Sequence, residues 1–165
     1  MVGLNYEDAT YTIRNDLVEA QNRAWNRLSH TGTWLTGLER VKVMEETRGA
    51  SNCPTCVEVK QAISPFMVRN PHVAVTDLPQ SWVDMIHLIV ADPGRLTHGW
   101  YKRTLNSGLD DTHFVEIVSV IAHTIAIDTF AKGIGVSIRA LPDPEPGEPT
   151  KYRPKEARQH IAWAP

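Results

Sequence analysis

Residues 36–63 read TGLERVKVMEETRGASNCPTCVEVKQAI, and this stretch sets the reading of the whole chain. Thr36 stands three residues before Glu39, the spacing of a capping box that satisfies the first free N–H groups of a helix. Leu38, Val41, Val43 and Met44 follow as its apolar positions, and Gly49 ends the helix after about Arg48. A second, short helix is expected from Cys53 to Ile63. Ser51 or Asn52 would be its N-cap, Pro54 would lie in its first turn, and Ser64-Pro65 would stop it.

Working outward, residues 16–28 place Leu17, Ala20, Ala24, Trp25 and Leu28 at the i, i+3, i+4 spacing of an amphipathic helix. Residues 66–79, with Pro71 and Pro79, read as loop. Gln80–Val90 and Arg95–Leu105 read as helices, and Asp110 or Asp111 caps a last, largely apolar helix that runs to about Lys132. The alternation His72-Val73-Ala74-Val75-Thr76 is too short for a strand and lies between prolines. The expectation is an all-α domain of about six helices over residues 1–136. Its last helix would be central or at a subunit interface, because apolar residues lie on most of its sides.

Six of the 11 prolines fall between Pro142 and Pro165. Proline removes a backbone donor and restricts the residue before it, so residues 137–165 are expected to form a proline-rich extended arm. Tyr152 and Trp163 are its expected anchors, and a disordered tail is the competing expectation.

Composition narrows the function classes. The chain has 165 residues, 17 basic against 19 acidic, a net charge of −2 and a pI near 6.4. Such a balance gives no general attraction to nucleic acid. The longest mostly apolar stretch, Ile117–Ile127, is interrupted by Ser119, His123 and Thr124 and falls short of the roughly 20 residues that span a bilayer, so no membrane partner is expected. The opening MVGLNYEDATYT has no basic region followed by an apolar run, so no secretory signal is expected and a cytoplasmic location is. Two cysteines do not make a disulfide scaffold.

Those two cysteines are Cys53 and Cys56, in the unit Cys53-Pro54-Thr55-Cys56. A metal site needs about four ligands, and the seven histidines are scattered singly, so no metal or cofactor is expected, an intermolecular zinc site being the minor alternative. A redox role needs a thiolate. The free N–H groups and dipole at the start of the Cys53 helix favour one, and Lys60 adds positive charge four residues after Cys56. Two ordinary buried thiols remain the bland alternative. Proton transfer could come from Glu45 or Glu46 on the preceding helix, or from the last helix, where Glu116, Ser119 and His123 share one side.

The cysteine segment, the preceding Glu39–Ala50 helix, Ala62-Ile63-Ser64-Pro65, Asp92-Pro93-Gly94-Arg95-Leu96-Thr97, the helix opening Phe114-Val115-Glu116 and the arm together resemble the AhpD-like alkylhydroperoxidase branch of the carboxymuconolactone decarboxylase family. The resemblance implies an AhpD-like helical domain that forms a homo-oligomer through its helices. It implies reduction of a small hydroperoxide by the dithiol, which a dithiol reductant restores: a small molecule, a lipoyl group or a thioredoxin-like protein. By analogy Cys56 is peroxidatic and Cys53 resolving, whereas the helix-terminus argument makes Cys53 the more acidic thiol; both stand at this point. The chain departs from the family where histidines are expected, at Thr55 and Lys60, and where the catalytic glutamate is expected, at Val41 flanked by Glu39 and Glu45. The expected replacement is Glu45 or Glu46 with His123. The competing functions are a non-enzymatic helical oligomer with a redox-sensing or inert thiol pair, and a decarboxylase-like lyase using Glu116 and His123.

Overall fold

A computed structural model describes residues 3–156. It is all-α, with no strand among the described residues. Six α-helices follow one another: α1 Asn15–Ser29, α2 Gly37–Gly49, α3 Pro54–Gln61, α4 Gln80–Ala91, α5 His98–Asn106 and α6 Asp111–Gly133. Single 3-10 turns at Ala50–Asn52, Pro65–Met67 and Pro93–Arg95 bend the chain between them.

Side-chain caps set three of the six helix starts. The capping box at α2 forms as expected, with Thr36 Oγ1 accepting from the Glu39 N–H and the Glu39 carboxylate accepting from the Thr36 N–H. Asp110 caps α6 by accepting from the N–H groups of Thr112 and His113. α5 starts at His98 rather than Arg95, because Thr97 caps the Trp100 N–H and residues 93–95 are already spent on a 3-10 turn. The expectation that Ser51 or Asn52 caps α3 is corrected: Asn52 closes the preceding 3-10 turn, and Cys53 is itself the N-cap residue with extended backbone. α3 also ends earlier than expected, at Gln61. Ala62 is already extended, and Ile63 is fully exposed.

The core is built around α6. Ile117, Val120 and Ile121 pack with Val43 and Met44 of α2, Val83 and Ile86 of α4, and Trp25 and Leu28 of α1. Tyr101 of α5 meets Phe114 edge to face, with centroids 4.9 Å apart. The expected central position of the last helix follows from its buried residues, which occur on every turn from Phe114 to Ala131. The whole helix is longer than the apolar run read in the sequence. By length and composition alone it could cross a bilayer; Phe114, Ile117, Val120, Ile121 and Ile127 are buried in the core, whereas Val115 and Ile125 are exposed.

Polar contacts tie the core to the arm. Arg48 donates to both Asp128 oxygens, at 2.8 and 2.7 Å, and to the Arg139 carbonyl at 2.8 Å. One guanidinium therefore joins α2, α6 and the start of the arm. Residues 136–154 contain no helix or strand, and residues 145–151 lie along the α1–α2 connection. The Glu145 N–H donates to the Ser29 carbonyl and the Lys151 N–H to the Thr33 carbonyl, both at 2.8 Å. Gly37 permits this approach, because a Cβ there would lie 2.3 Å from the Ser29 oxygen and 2.5 Å from the Glu145 oxygen. Backbone pairing and the Arg139–Asp8 and Arg153–Asp111 ion pairs hold the arm, and Tyr152 is 66% exposed. The other expected anchor, Trp163, lies outside the described residues.

Removing one partner of a well-buried ion pair strands the other. Asp128→Ala is therefore expected to lower unfolding free energy by about 3 kcal/mol, at the low end because Arg48 is partly exposed. Tyr152→Ala should change it by less than about 0.5 kcal/mol. Urea titrations followed by circular dichroism would compare the two variants.

Candidate dithiol site

The site begins with the phase of α2. Val43, Met44, Glu46 and Thr47 all face inward, whereas Glu45, about 100° away around the helix, is exposed. Glu46 thus carries a carboxyl group into the interior, where its residue is 0% exposed. Burial of such a group is tolerated only with full hydrogen bonding. The connection from α3 to α4 supplies it. The Val75 N–H donates at 3.2 Å, the Thr76 N–H at 3.1 Å and the Thr76 hydroxyl at 2.7 Å. The remaining partner is His87 of α4, whose Nε2 lies 2.7 Å from Glu46 Oε1.

His87 is likewise 0% exposed. With every other contact to Glu46 coming from a donor, His87 donates through Nε2. The other ring nitrogen, Nδ1, faces the thiols. It lies 3.4 Å from Cys56 Sγ, within hydrogen-bond distance. A buried chain Glu46–His87–Cys56 results, drawn from α2, α4 and α3.

Cys53 and Cys56 are free thiols, 3% and 1% exposed. Pro54 starts α3 and Cys53 is its N-cap, so both sulfurs lie at the helix start, as expected. The Val73 N–H donates to Cys53 Sγ at 3.4 Å. His72 leans over both sulfurs, with Nδ1 3.3 Å from Cys56 Sγ and 3.7 Å from Cys53 Sγ. Its place is set by Thr55, whose hydroxyl donates to the Pro71 carbonyl at 2.8 Å and pins the loop directly before His72. Thr55 occupies a position where the resemblance expects a histidine; here it holds a histidine brought from the loop.

These surroundings separate the two thiols. Burial pushes Cys53 up, but the Val73 and Cys56 N–H groups, with His72 and His87, outweigh it and bring its pKa down to about 6. Burial pushes Cys56 up, and its hydrogen bond to Cys53 and the charge there push further, to about 12; Lys60 opposes this only weakly. The arrangement holds one negative charge, centred on Cys53, and one proton on Cys56. The sulfurs lie behind His72, which lines a cleft of about 280 Å³ together with Thr55, Val59, Val68 and Leu88.

Four donor atoms, one each from Cys53, Cys56, His72 and His87, lie within 4.8 Å of one another. The objection to a metal raised by the sequence, that the histidines are scattered singly, does not hold in three dimensions.

The expected site residues are thus divided. Cys53, Cys56 and Glu46 come together. Glu45 lies on the exposed side of α2. His123 is exposed on α6, its Nδ1 bonded to the Ser119 carbonyl at 2.7 Å. Glu116 does not join it either, but accepts from the Trp34 N–H at 2.8 Å and pairs with Arg40. Sequence reasoning missed His72 and His87. For His87 a signal existed: with Val83, Ile86 and Val90 it falls at i, i+3, i+4, i+7, on the stripe of α4 that must be buried. For His72, in a loop, the sequence carries no such signal.

Comparison of the chain with protein-family models, curated proteins and solved structures returns no match.

The separation of the thiols has a direct consequence. In reduced, chelator-treated protein, alkylation followed by peptide mapping should label Cys53 before Cys56. The Cys53 rate should rise with pH to a plateau with a midpoint near 6, against about 8.5 for an ordinary cysteine. A midpoint above about 8, or Cys56 labelled first, would contradict the assignment.

Proposed function

We propose that this protein is a dithiol oxidoreductase that reduces small hydroperoxides, with an AhpD-like domain as its framework. The observation that carries the reading is the buried Glu46–His87–Cys56 chain ending beside a second sulfur that accepts hydrogen bonds. A peroxide-reducing dithiol needs a thiolate to attack, a second thiol to resolve and a route for one proton. All three groups lie within this cluster.

In the cycle, the Cys53 thiolate attacks the distal oxygen of the hydroperoxide. The O–O bond breaks, Cys53 becomes a sulfenic acid, and the alkoxide leaves. The alkoxide takes the proton that Cys56 shares with His87, forming the alcohol. The resulting Cys56 thiolate attacks the Cys53 sulfur, the disulfide forms, and the displaced hydroxide takes a proton from solvent to give water. Two electrons pass from the dithiol to the peroxide. An external dithiol, whether a small molecule, a lipoyl group or a thioredoxin-like protein, restores both thiols by exchange. This order of attack follows the sulfur that accepts the Val73 N–H and reverses the roles implied by the family analogy. Glu46 orients His87, taking the place that Val41 cannot fill.

Two accompanying features fit the reading. A dithiol that rests reduced suits the cytoplasm. A homo-oligomer through helices is supported by the outer face of α6, where Val115 and Ile125 are 45% and 40% exposed beside Ala122 and Ala126. A second reading, a redox sensor with little turnover, is favoured by the near-complete burial of both sulfurs. It predicts a reversible disulfide and slow peroxide consumption.

Variants separate the steps. Cys56→Ser should consume one equivalent of hydroperoxide and stop at a sulfenic acid on Cys53 that a dimedone-type reagent traps. Cys53→Ser should lose rapid consumption altogether. His87→Ala should lower kcat/KM by about 100-fold with dithiol reductant present, the size of a lost acid–base group. Full turnover in the Cys53→Ser/Cys56→Ser double variant would exclude the proposal and leave thiol-independent chemistry.

A further inference from the structure

We propose that the reduced dithiol, with His72 and His87, is also a closed four-coordinate site for Zn²⁺. This goes beyond the peroxidase reading and does not rest on it, because it follows from ligand type, spacing and support alone.

The donor set is two thiol sulfurs and two imidazole nitrogens, the softness and number that zinc takes in structural sites, whereas Mg²⁺ and Ca²⁺ require oxygen. The spacing is already close to what the ion needs. Tetrahedral bonds of 2.0–2.3 Å separate neighbouring donors by about 3.3–3.8 Å. His72 Nδ1 lies 3.3 Å from Cys56 Sγ and 3.7 Å from Cys53 Sγ, and His87 Nδ1 lies 3.4 Å from Cys56 Sγ. All four atoms fall within 4.8 Å of one another. The histidine nitrogens that would bind are the ones facing the sulfurs, so no ring need turn over.

The support around the ligands has the same form. A metal-bound histidine commonly donates its second ring N–H to a carboxylate, which fixes its orientation. His87 does this to Glu46 at 2.7 Å. Cys53 receives the Val73 N–H, and His72 is held by the Thr55–Pro71 hydrogen bond and by Gln80, whose amide donates to the His72 carbonyl at 3.3 Å. Charge also balances: two thiolates and two neutral imidazoles around a divalent ion leave no net charge in a buried place. Without the ion, two thiolates this close would repel each other.

The ligands come from α3, the loop between α3 and α4, and α4 itself. A bound ion would therefore clip that loop to two helices. With four protein ligands there is no open position for water, so the ion would not act as a hydrolytic centre. It would occupy the sulfur lone pairs that the peroxide reaction uses. Ion-loaded and peroxide-reactive protein would then be separate states of the same cluster.

The test is anaerobic titration of reduced, metal-free protein with Co²⁺, a spectroscopic probe for this geometry, followed by displacement with Zn²⁺. The expected result is one ion per chain, with the strong visible bands of tetrahedral cobalt and a thiolate charge-transfer band in the near ultraviolet. His72→Ala should weaken binding at least about tenfold. His72 is in a half-buried loop, so circular dichroism should be retained; Cys56→Ser, which loses one sulfur, gives a second check. His123→Ala should bind as the parent does. Absence of a thiolate charge-transfer band, or an unchanged affinity in His72→Ala, would overturn the inference. Peroxide turnover of the metal-free protein, measured beside it, keeps the two proposals distinguishable: turnover without cobalt binding removes only this one, and cobalt binding without turnover removes only the peroxidase.

Discussion

The buried carboxyl group of Glu46 is the constraint on which the site depends. A carboxyl group with no exposure must be surrounded by donors, and here each one belongs to a segment that the site requires. Val75 and Thr76 bring in the loop between α3 and α4; His87 brings in α4. Because the loop is held at residues 75 and 76 at one end and by Thr55 at Pro71 at the other, His72 has little choice but to lie over the thiols. One helical residue thus fixes a loop that has no secondary structure of its own beyond a single 3-10 turn.

The same logic explains how two cysteines three residues apart acquire different character. Both are buried, which alone would raise both. Cys53, at the helix N-cap, meets backbone N–H groups, whereas Cys56, one turn inside the helix, meets the Cys53 sulfur and its charge. The difference lies in what the surrounding atoms can donate or accept.

The fold was largely legible in the sequence because its signals are local. The Thr36–Glu39 capping box, the Asp110 cap, the prolines at 65, 79 and 93 and the apolar stripe of the last helix each act over a few residues, and the helices form where they indicate. The Cys-x-x-Cys unit is local too. The rest of the site is not. Choosing Glu46 over Glu45 requires knowing which face of α2 is buried, and His72 and His87 lie 19 and 34 residues after Cys53, brought back by the fold. His123 drew attention through its companions on α6, yet its own side chain is exposed while Glu116 is engaged by Trp34 and Arg40. The arm was read as extended from its prolines, but its attachment through the Ser29 and Thr33 carbonyls depends on backbone groups that no residue type announces.

The central claim is that Cys53 and Cys56 act as one two-electron couple. The most direct measurement is the mass and peptide map of reduced, chelator-treated protein after one equivalent of an organic hydroperoxide. The account predicts loss of both thiols, an intrachain Cys53–Cys56 disulfide two hydrogens lighter than the dithiol, and one equivalent of the corresponding alcohol. Recovery of both thiols intact, or a sulfenic or sulfinic acid that accumulates without the disulfide, would contradict it.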